Sequence, residues 1–241
     1  MAKALVSRGA DIKKEYKNGL SRIELLPGAY DEAQVFRCSL KAGETWTPDV
    51  YAFGDSVQFF YFVQGTGYVA MDGYANNITE MAVFVPKFDT VRFVFHAKTD
   101  LEFLQFVGKM NDYDIKRIGA ISLSMPRFRN LKDCWTYDED FKTSNIKSYM
   151  VVEHRFLGRF SLGAVIGNGP CTVGTHMHPD LLQWCYLLPG ASYCYKADGN
   201  AVDVSEDDMT FIPVGSHHSV EVKEGDVMDY IWFEVCVDGY K

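Results

Sequence analysis

The sequence predicts an all-β protein built from two copies of one small antiparallel barrel or sandwich. Three observations carry this. Short runs rich in β-branched and aromatic residues, bounded by Gly, Pro, Asn or Asp, recur along the chain. Helix-period patterning is scarce. The two halves also align in order. Gln58–Gly65 matches Gln183–Gly190 at an offset of 125, and Phe84-Val85-Pro86 matches Phe211-Ile212-Pro213 at 127. Leu101–Val107 matches Met228–Glu234, again at 127. Three matches at a nearly constant offset point to a duplicated β domain.

Strands are expected in the first half at Val35–Leu40, Thr66–Met71, Val91–Phe95 and Leu101–Val107. The second half repeats them at Phe160–Ile166, Tyr193–Lys196 and Tyr230–Val235. The stretch from about Lys109 to Ser148 has no counterpart in this alignment. It mixes Asn, Asp, Arg and Lys with Met125-Pro126 and Trp135 and reads as a linker. The expected organisation is a first domain at 1–112, a linker at 113–147 and a second domain at 148–241.

Composition bounds the function. The 241 residues are 47% hydrophobic and 15% aromatic, enough for two cores and too much for a disordered chain. The net charge of −8 argues against a nucleic-acid partner, which would want a basic footprint. No apolar run approaches the ~18 residues of a membrane helix. Met1–Arg8 is charged too early for an export signal, so a cytoplasmic protein is expected. The six cysteines, Cys38, Cys134, Cys171, Cys185, Cys194 and Cys236, form no C-x-x-C pair and read as reduced thiols.

The chemistry concentrates in the second copy. His176, His178, His217 and His218 are four of the six histidines. His176-Met177-His178 puts two imidazoles on one face of a strand, where they can chelate one ion. Gly190, seven residues after Gln183, reads as a hairpin turn. Pro213-Val214-Gly215-Ser216-His217-His218 reads as a turn feeding a strand that begins with imidazole.

These spacings resemble the cupin superfamily. Its first motif runs H-x-H, three or four residues, Glu, six residues, Gly; its second is P-x-G-x-x-H. His176, His178, the position of Gln183, Gly190, Pro213, Gly215 and His218 fit them. The resemblance implies two jelly-roll barrels arranged as a bicupin. It implies one divalent transition metal (Mn, Fe, Zn or Ni) on His176, His178, Gln183 and His218. Two departures stand out: Gln183 replaces the usual acid, and Val222 replaces the Asn that often closes the second motif. A neutral three-His, one-Gln shell leaves the ion more electrophilic than a carboxylate would. Gln183 is alternatively a residue that only hydrogen-bonds a ligand. His217 is expected to point away from the site.

The first copy lacks this pattern. Glu44–Tyr51 holds no histidine, Val91 stands where His218 stands, and His96 falls five residues too late. A metal-free, structural barrel is expected there. Its aromatics, from Phe59 to Phe95, read mostly as core.

Alternation from Gln183 places Cys185 and Leu187 inside, with Trp184 and Tyr186 outside. From His218 it places Val220 and Val222 inside. On the last strand either Tyr230, Trp232 and Glu234 or Ile231, Phe233 and Val235 face inward. Candidate catalytic groups are Glu234, Tyr193 and Tyr195, any of which could serve as general base. Candidate substrate contacts are Arg155, Arg159, Cys185 and Trp232, the arginines for an anionic group.

Three functions compete. One is an enzyme using the metal as Lewis acid on a small oxygenated metabolite, such as a sugar, keto acid or ureide. The reaction would be isomerisation, elimination or hydrolysis. Bicupins with one degenerate site, such as ureidoglycine aminohydrolase, support this, although they place Glu and Gln at different ligand positions. The second is a non-haem Fe(II) dioxygenase. The third is a non-catalytic small-molecule-binding module. The expected partners are a small-molecule substrate and a second copy of the chain, with no nucleic acid and no membrane.

Overall fold

Strands account for most of the chain, and each pairs antiparallel with its neighbours in four sheets. The computed structural model describes residues 5–89, 92–120 and 125–241. The chain divides into one unit of residues 13–134 and another of residues 5–12 and 135–241. Among the described residues no helix is long and apolar enough to cross a membrane.

The first unit has a six-stranded sheet in the order Arg127–Asn130, Ala82–Val85, Ser56–Gln64, Leu101–Lys109, Ala33–Leu40, Leu20–Leu25. Its four-stranded sheet runs Thr45–Trp46, Phe93–Ala97, Gly67–Met71, Tyr74–Ile78. Side chains alternate across each strand, so the inward sets of the two sheets meet in one core. That core is aromatic: Phe60, Phe62, Phe84, Phe93, Phe95 and Phe103 are buried together, with Trp46 packed against them.

The second unit repeats this order and adds one strand, Trp135–Tyr137, at the edge of its larger sheet. Its seven-stranded sheet runs Leu5–Ser7, Met209–Ile212, Leu181–Leu187, Tyr230–Cys236, Phe160–Gly167, Ile146–Leu157, Trp135–Tyr137. The four-stranded sheet runs Cys171–His176, His218–Val222, Ser192–Ala197, Asn200–Ser205. The repeat seen in the sequence is therefore a repeat of topology. All of the expected strands with described residues occur, within a few residues of the expected ends. Only Phe93–Ala97 is displaced, and Thr90 and Val91, where Val91 was set against His218, lie outside the described residues.

Two boundaries differ from expectation. Leu5–Ser7 pairs with Met209–Ile212, so the N-terminal strand belongs to the second unit and not to a domain spanning 1–112. Arg8 secures it. Its Nη1 donates to Asp208 Oδ2 and to the Asp203 carbonyl, both at 2.7 Å, and the Gly9 amide donates to Asp208 Oδ1 at 2.8 Å. Three residues at the chain start carry too little pattern to reveal a distant partner. The expected linker 113–147 is likewise divided. Arg127–Asn130 pairs with Ala82–Val85 in the first unit, and Trp135–Tyr137 pairs with Ile146–Leu157 in the second.

That stretch also holds the helix Asp112–Gly119. Asn111 caps it by accepting from the Asp114 amide at 3.1 Å, while Asp114 accepts from the Asn111 amide at 3.0 Å. This reciprocal cap is legible as Asn-x-x-Asp, but eight residues are too few to show helical periodicity.

A glycine decides how the second core closes. Gly163 lies opposite Trp232 in the ladder, and a Cβ there would sit 2.1 Å from the indole Cζ2. Gly163→Ala therefore forces Trp232 out of place. We expect a loss of about 1–3 kcal/mol or more in denaturant unfolding, with a shifted tryptophan emission.

Candidate metal centre

Local pairing brings three imidazoles together. Cys171–His176 pairs with His218–Val222, and a register shift after Val173 sets His176 opposite His218. His178 lies beyond the strand end, so the two early histidines do not share a regular strand face as the spacing implied. They converge because the chain turns. The His178 carbonyl accepts the Gly215 amide at 2.9 Å, which ties the first histidine motif to the turn of the second. Gly215 has φ +75°, a region that glycine enters without strain.

The ring centroids of His176 and His218 are 4.1 Å apart, and His178 lies 5.1 and 5.2 Å from them. One nitrogen from each falls within 4.8 Å of the others. Phe141 stacks on His176 at 4.1 Å. Two rings are oriented through Nδ1, which donates to the backbone carbonyl two residues earlier. His176 bonds Gly174 at 2.8 Å and His218 bonds Ser216 at 3.2 Å. That leaves the lone pair of each on Nε2.

Burial holds His218 down to about 3, helped by the neighbouring His176, and burial also lowers His176. Both are neutral near pH 7 and able to ligate. Nε2 of His178 and of His218 are buried without a hydrogen-bond partner. Buried lone pairs that converge unpaired are costly unless a cation joins them, so the residues present fit a divalent metal.

Gln183 lines the same cavity. It stands opposite Glu234 in the ladder, and its Nε2 donates to Glu234 Oε1 at 2.6 Å. Its Oε1 accepts from the Cys185 thiol at 3.6 Å. The acid missing from the motif is thus present one hydrogen bond further out, on the facing strand.

Glu234, Tyr193, Tyr195, Cys185 and Trp232 also line this cavity, which settles the last strand in favour of Tyr230, Trp232 and Glu234 inward. Trp184 packs on Phe211 and Phe233 on the other face. Burial pushes the phenols of Tyr193 and Tyr195 well up. At pH 7 their hydroxyls are therefore available as hydrogen-bond donors. The Tyr195 hydroxyl is buried with no partner.

Arg155 and Arg159 do not line the cavity. Arg155 sits at positive φ where the chain reverses into Gly158 and donates to the Lys241 carbonyl. Arg159 is buried with its guanidinium against Phe160 and the Val237 carbonyl. Gly190 has positive φ, but it joins strands of different sheets and so does not close a hairpin. His217 is exposed, as expected, and its amide donates to Asp198 at 3.0 Å.

Lys142, Glu139 and Tyr137 line the cavity from the stretch read as linker. Lys142 Nζ meets Glu139 Oε2 at 2.5 Å and donates to Ser148 Oγ at 2.9 Å. The Tyr137, Glu139, Phe141, Lys142 spacing is the signal that could have exposed them. It was masked by the polar composition around it.

The first unit holds Gln58 at the position of Gln183, buried, with Nε2 donating to the Asp49 carbonyl at 2.6 Å. His96 stacks on Tyr68 at 4.4 Å. Most of its expected core aromatics are buried there, while Phe88 is partly exposed against Phe53.

A β-rich jelly-roll fold with converging histidines defines a protein of cupin fold. No protein-family model matches the chain, and no curated protein matches its sequence. Solved structures do match. A protein described as glyoxylate-induced, from Pseudomonas aeruginosa, superposes with a TM-score of 0.78 at 10% identity, over 95% of this chain and 88% of that one. Protein Ylba from E. coli gives 0.74 at 11%, over 100% and 93%. A cupin 2 conserved barrel domain protein from Leptotrichia buccalis gives 0.63 at 15%, over 97% and 96%. The oxalate decarboxylase of Lactobacillus farciminis, in its formate complex, gives 0.70 at 10%, over 97% and 88%. Likenesses at this identity establish the fold.

Proposed function

We propose that the protein is a bicupin enzyme whose second barrel uses one divalent transition metal as a Lewis acid on a small oxygenated metabolite. The carrying observation is the convergence of three imidazoles, two with unpartnered Nε2, in a cavity that also holds a carboxylate and an unpartnered phenol. His176, His178 and His218 would hold the ion, with Gln183 Oε1 as fourth donor. When bound, the ion would polarise a substrate carbonyl.

The chain's own residues supply the rest. Glu234 is the base. Gln183 holds its Oε1, which leaves Oε2, 3.7 Å from His154 Nε2, as the atom that takes the proton. Tyr195 donates its hydroxyl to a substrate oxygen. Lys142 contributes the third N–H of an ammonium that Glu139 and Ser148 already orient. The buried aromatic wall of Tyr193, Tyr230 and Trp232 excludes water from this end. The likeness to an oxalate decarboxylase supports a small acid among the candidate substrates. The first unit is read as the metal-free structural partner, and the whole as a cytoplasmic protein acting on a small molecule.

The test is turnover of a panel of sugars, 2-oxo acids and ureides by protein loaded with Mn, Fe, Zn or Ni, with oxygen excluded. Product should form anaerobically. Glu234→Gln should lower kcat about 100-fold or more while metal content stays unchanged. A strict oxygen requirement would instead make this a dioxygenase, and full activity in Glu234→Gln would remove the assigned base.

A further inference from the structure

The first unit carries a groove of about 480 Å3, open to solvent, whose lining includes Arg22, Lys17, Leu20, Trp46, Asn18 and Glu15. It lies between the two outer strands Leu20–Leu25 and Thr45–Trp46. Its central feature is a guanidinium held in a fixed plane. Arg22 Cζ sits 3.4 Å from the centre of the Phe36 ring, and its Nε donates to Gln105 Oε1 at 2.7 Å.

That acceptor is itself locked. Gln105 Nε2 donates to Gln58 Oε1 at 3.1 Å, and Gln58 Nε2 donates to the Asp49 carbonyl at 2.6 Å. Both glutamines are buried. Every amide in the relay therefore points its oxygen toward Arg22, and the relay ends on a cation. Among the described residues no carboxylate pairs with Arg22, and its two terminal nitrogens carry no hydrogen bond. They form a free two-pronged donor of the kind that matches a carboxylate.

The wall beside it is rigid as well. Lys17 and Leu20 exchange backbone hydrogen bonds of 2.8 and 3.1 Å across Asn18 and Gly19, both at positive φ. A Cβ on Gly19 would sit 2.4 Å from Glu44 Cγ, so this turn is packed in place. Lys17 adds a second positive charge to the groove, against the single acid Glu15. Leu20 and Trp46, both half-buried, add apolar surface to the lining.

We infer that this groove is a binding site for a small carboxylate with an aromatic body, the carboxylate on the Arg22 fork and the ring on Leu20 and Trp46. The site is separate from the histidine centre and does not depend on the function proposed for it.

The probe is 4-fluorobenzoate, followed by 19F NMR line broadening on the full chain. The wild type should broaden its signal, and neutral 4-fluorobenzamide should bind about 10-fold more weakly or worse. Arg22→Gln should weaken 4-fluorobenzoate binding by about 10-fold or more with an unchanged Tm. Arg22→Lys, which keeps the charge and loses the fork, should fall between. His218→Ala should bind as the wild type does. No broadening by the wild type overturns the site, as does undiminished binding by Arg22→Gln. Loss of binding in His218→Ala would move the ligand to the histidine cavity and also overturn it.

Discussion

Alanine in place of His176 is expected to strip the protein of the divalent metal proposed for this site. Elemental analysis of purified, metal-loaded wild type should find about one ion per chain. His176→Ala removes one of three imidazoles whose nitrogens lie within 4.8 Å of one another. Losing a residue that merely supports a ligand costs about 10–100-fold in affinity, so losing a ligand should exceed that. The thermal midpoint reports the same event independently. Metal at ~100 times its Kd stabilises the folded state by about 2.7 kcal/mol. A chelator should therefore lower the wild-type midpoint and leave that of His176→Ala unmoved. Gln183→Ala separates two roles for the amide. A weakening of about 10-fold or more with this variant agrees with ligation through Oε1. Unchanged metal affinity would leave Gln183 only as the group that holds Glu234. Metal retained by both variants would sink the assignment.

Phe60→Ala should produce a comparably large effect, on stability alone. Phe60 is fully buried. Its ring lies 4.8 Å from Phe95, 5.7 Å from Phe93 and 6.0 Å from Trp46. These neighbours are held on paired strands and cannot collapse into the space left. The expected cost is about 3–5 kcal/mol, read as a lower urea midpoint for the Trp46 emission change. Tyr74→Ala, at a residue 47% exposed, is the control and should stay within about 0.5 kcal/mol. Equal midpoints for the two variants would mean that the aromatic cluster does not carry this unit.

The two variants probe the two outcomes of one duplicated plan. The sheet order repeats in both units, yet one interior is filled by phenylalanine and the other keeps a polar cavity. This difference is legible directly, because the inward positions of paired strands can be compared along the sequence. Where one copy has Phe60 and Phe62 the other has Cys185 and Leu187, at the offset of 125 that aligns the repeats. Smaller side chains leave room beside Gln183, and the late histidine opens onto it.

Some residues were not legible. Lys142 and Glu139 sit in a polar stretch whose composition matches an exposed linker, and only the fold of the chain around Phe141 brings them to the cavity. Arg155 and Arg159 looked as suitable for an anion, but a reversal at positive φ and a backbone acceptor turn them elsewhere. The inward face of the last strand was undecidable, since large apolar residues stand on both faces, Tyr230 and Trp232 on one and Ile231, Phe233 and Val235 on the other. Register with Gln183 decided it, and Glu234 came inward as a result.

By itself the sequence determined the all-β class, the duplication and the histidines, because periodicity, repeat offset and motif spacing are local properties of the chain. Tertiary structure alone decided that the first strand completes the second unit, that Glu234 faces Gln183, and that Arg22 ends a relay of buried amides. Each of these depends on pairing between segments tens to hundreds of residues apart. Hydrogen-bond register is set by the whole sheet, and no local pattern encodes it.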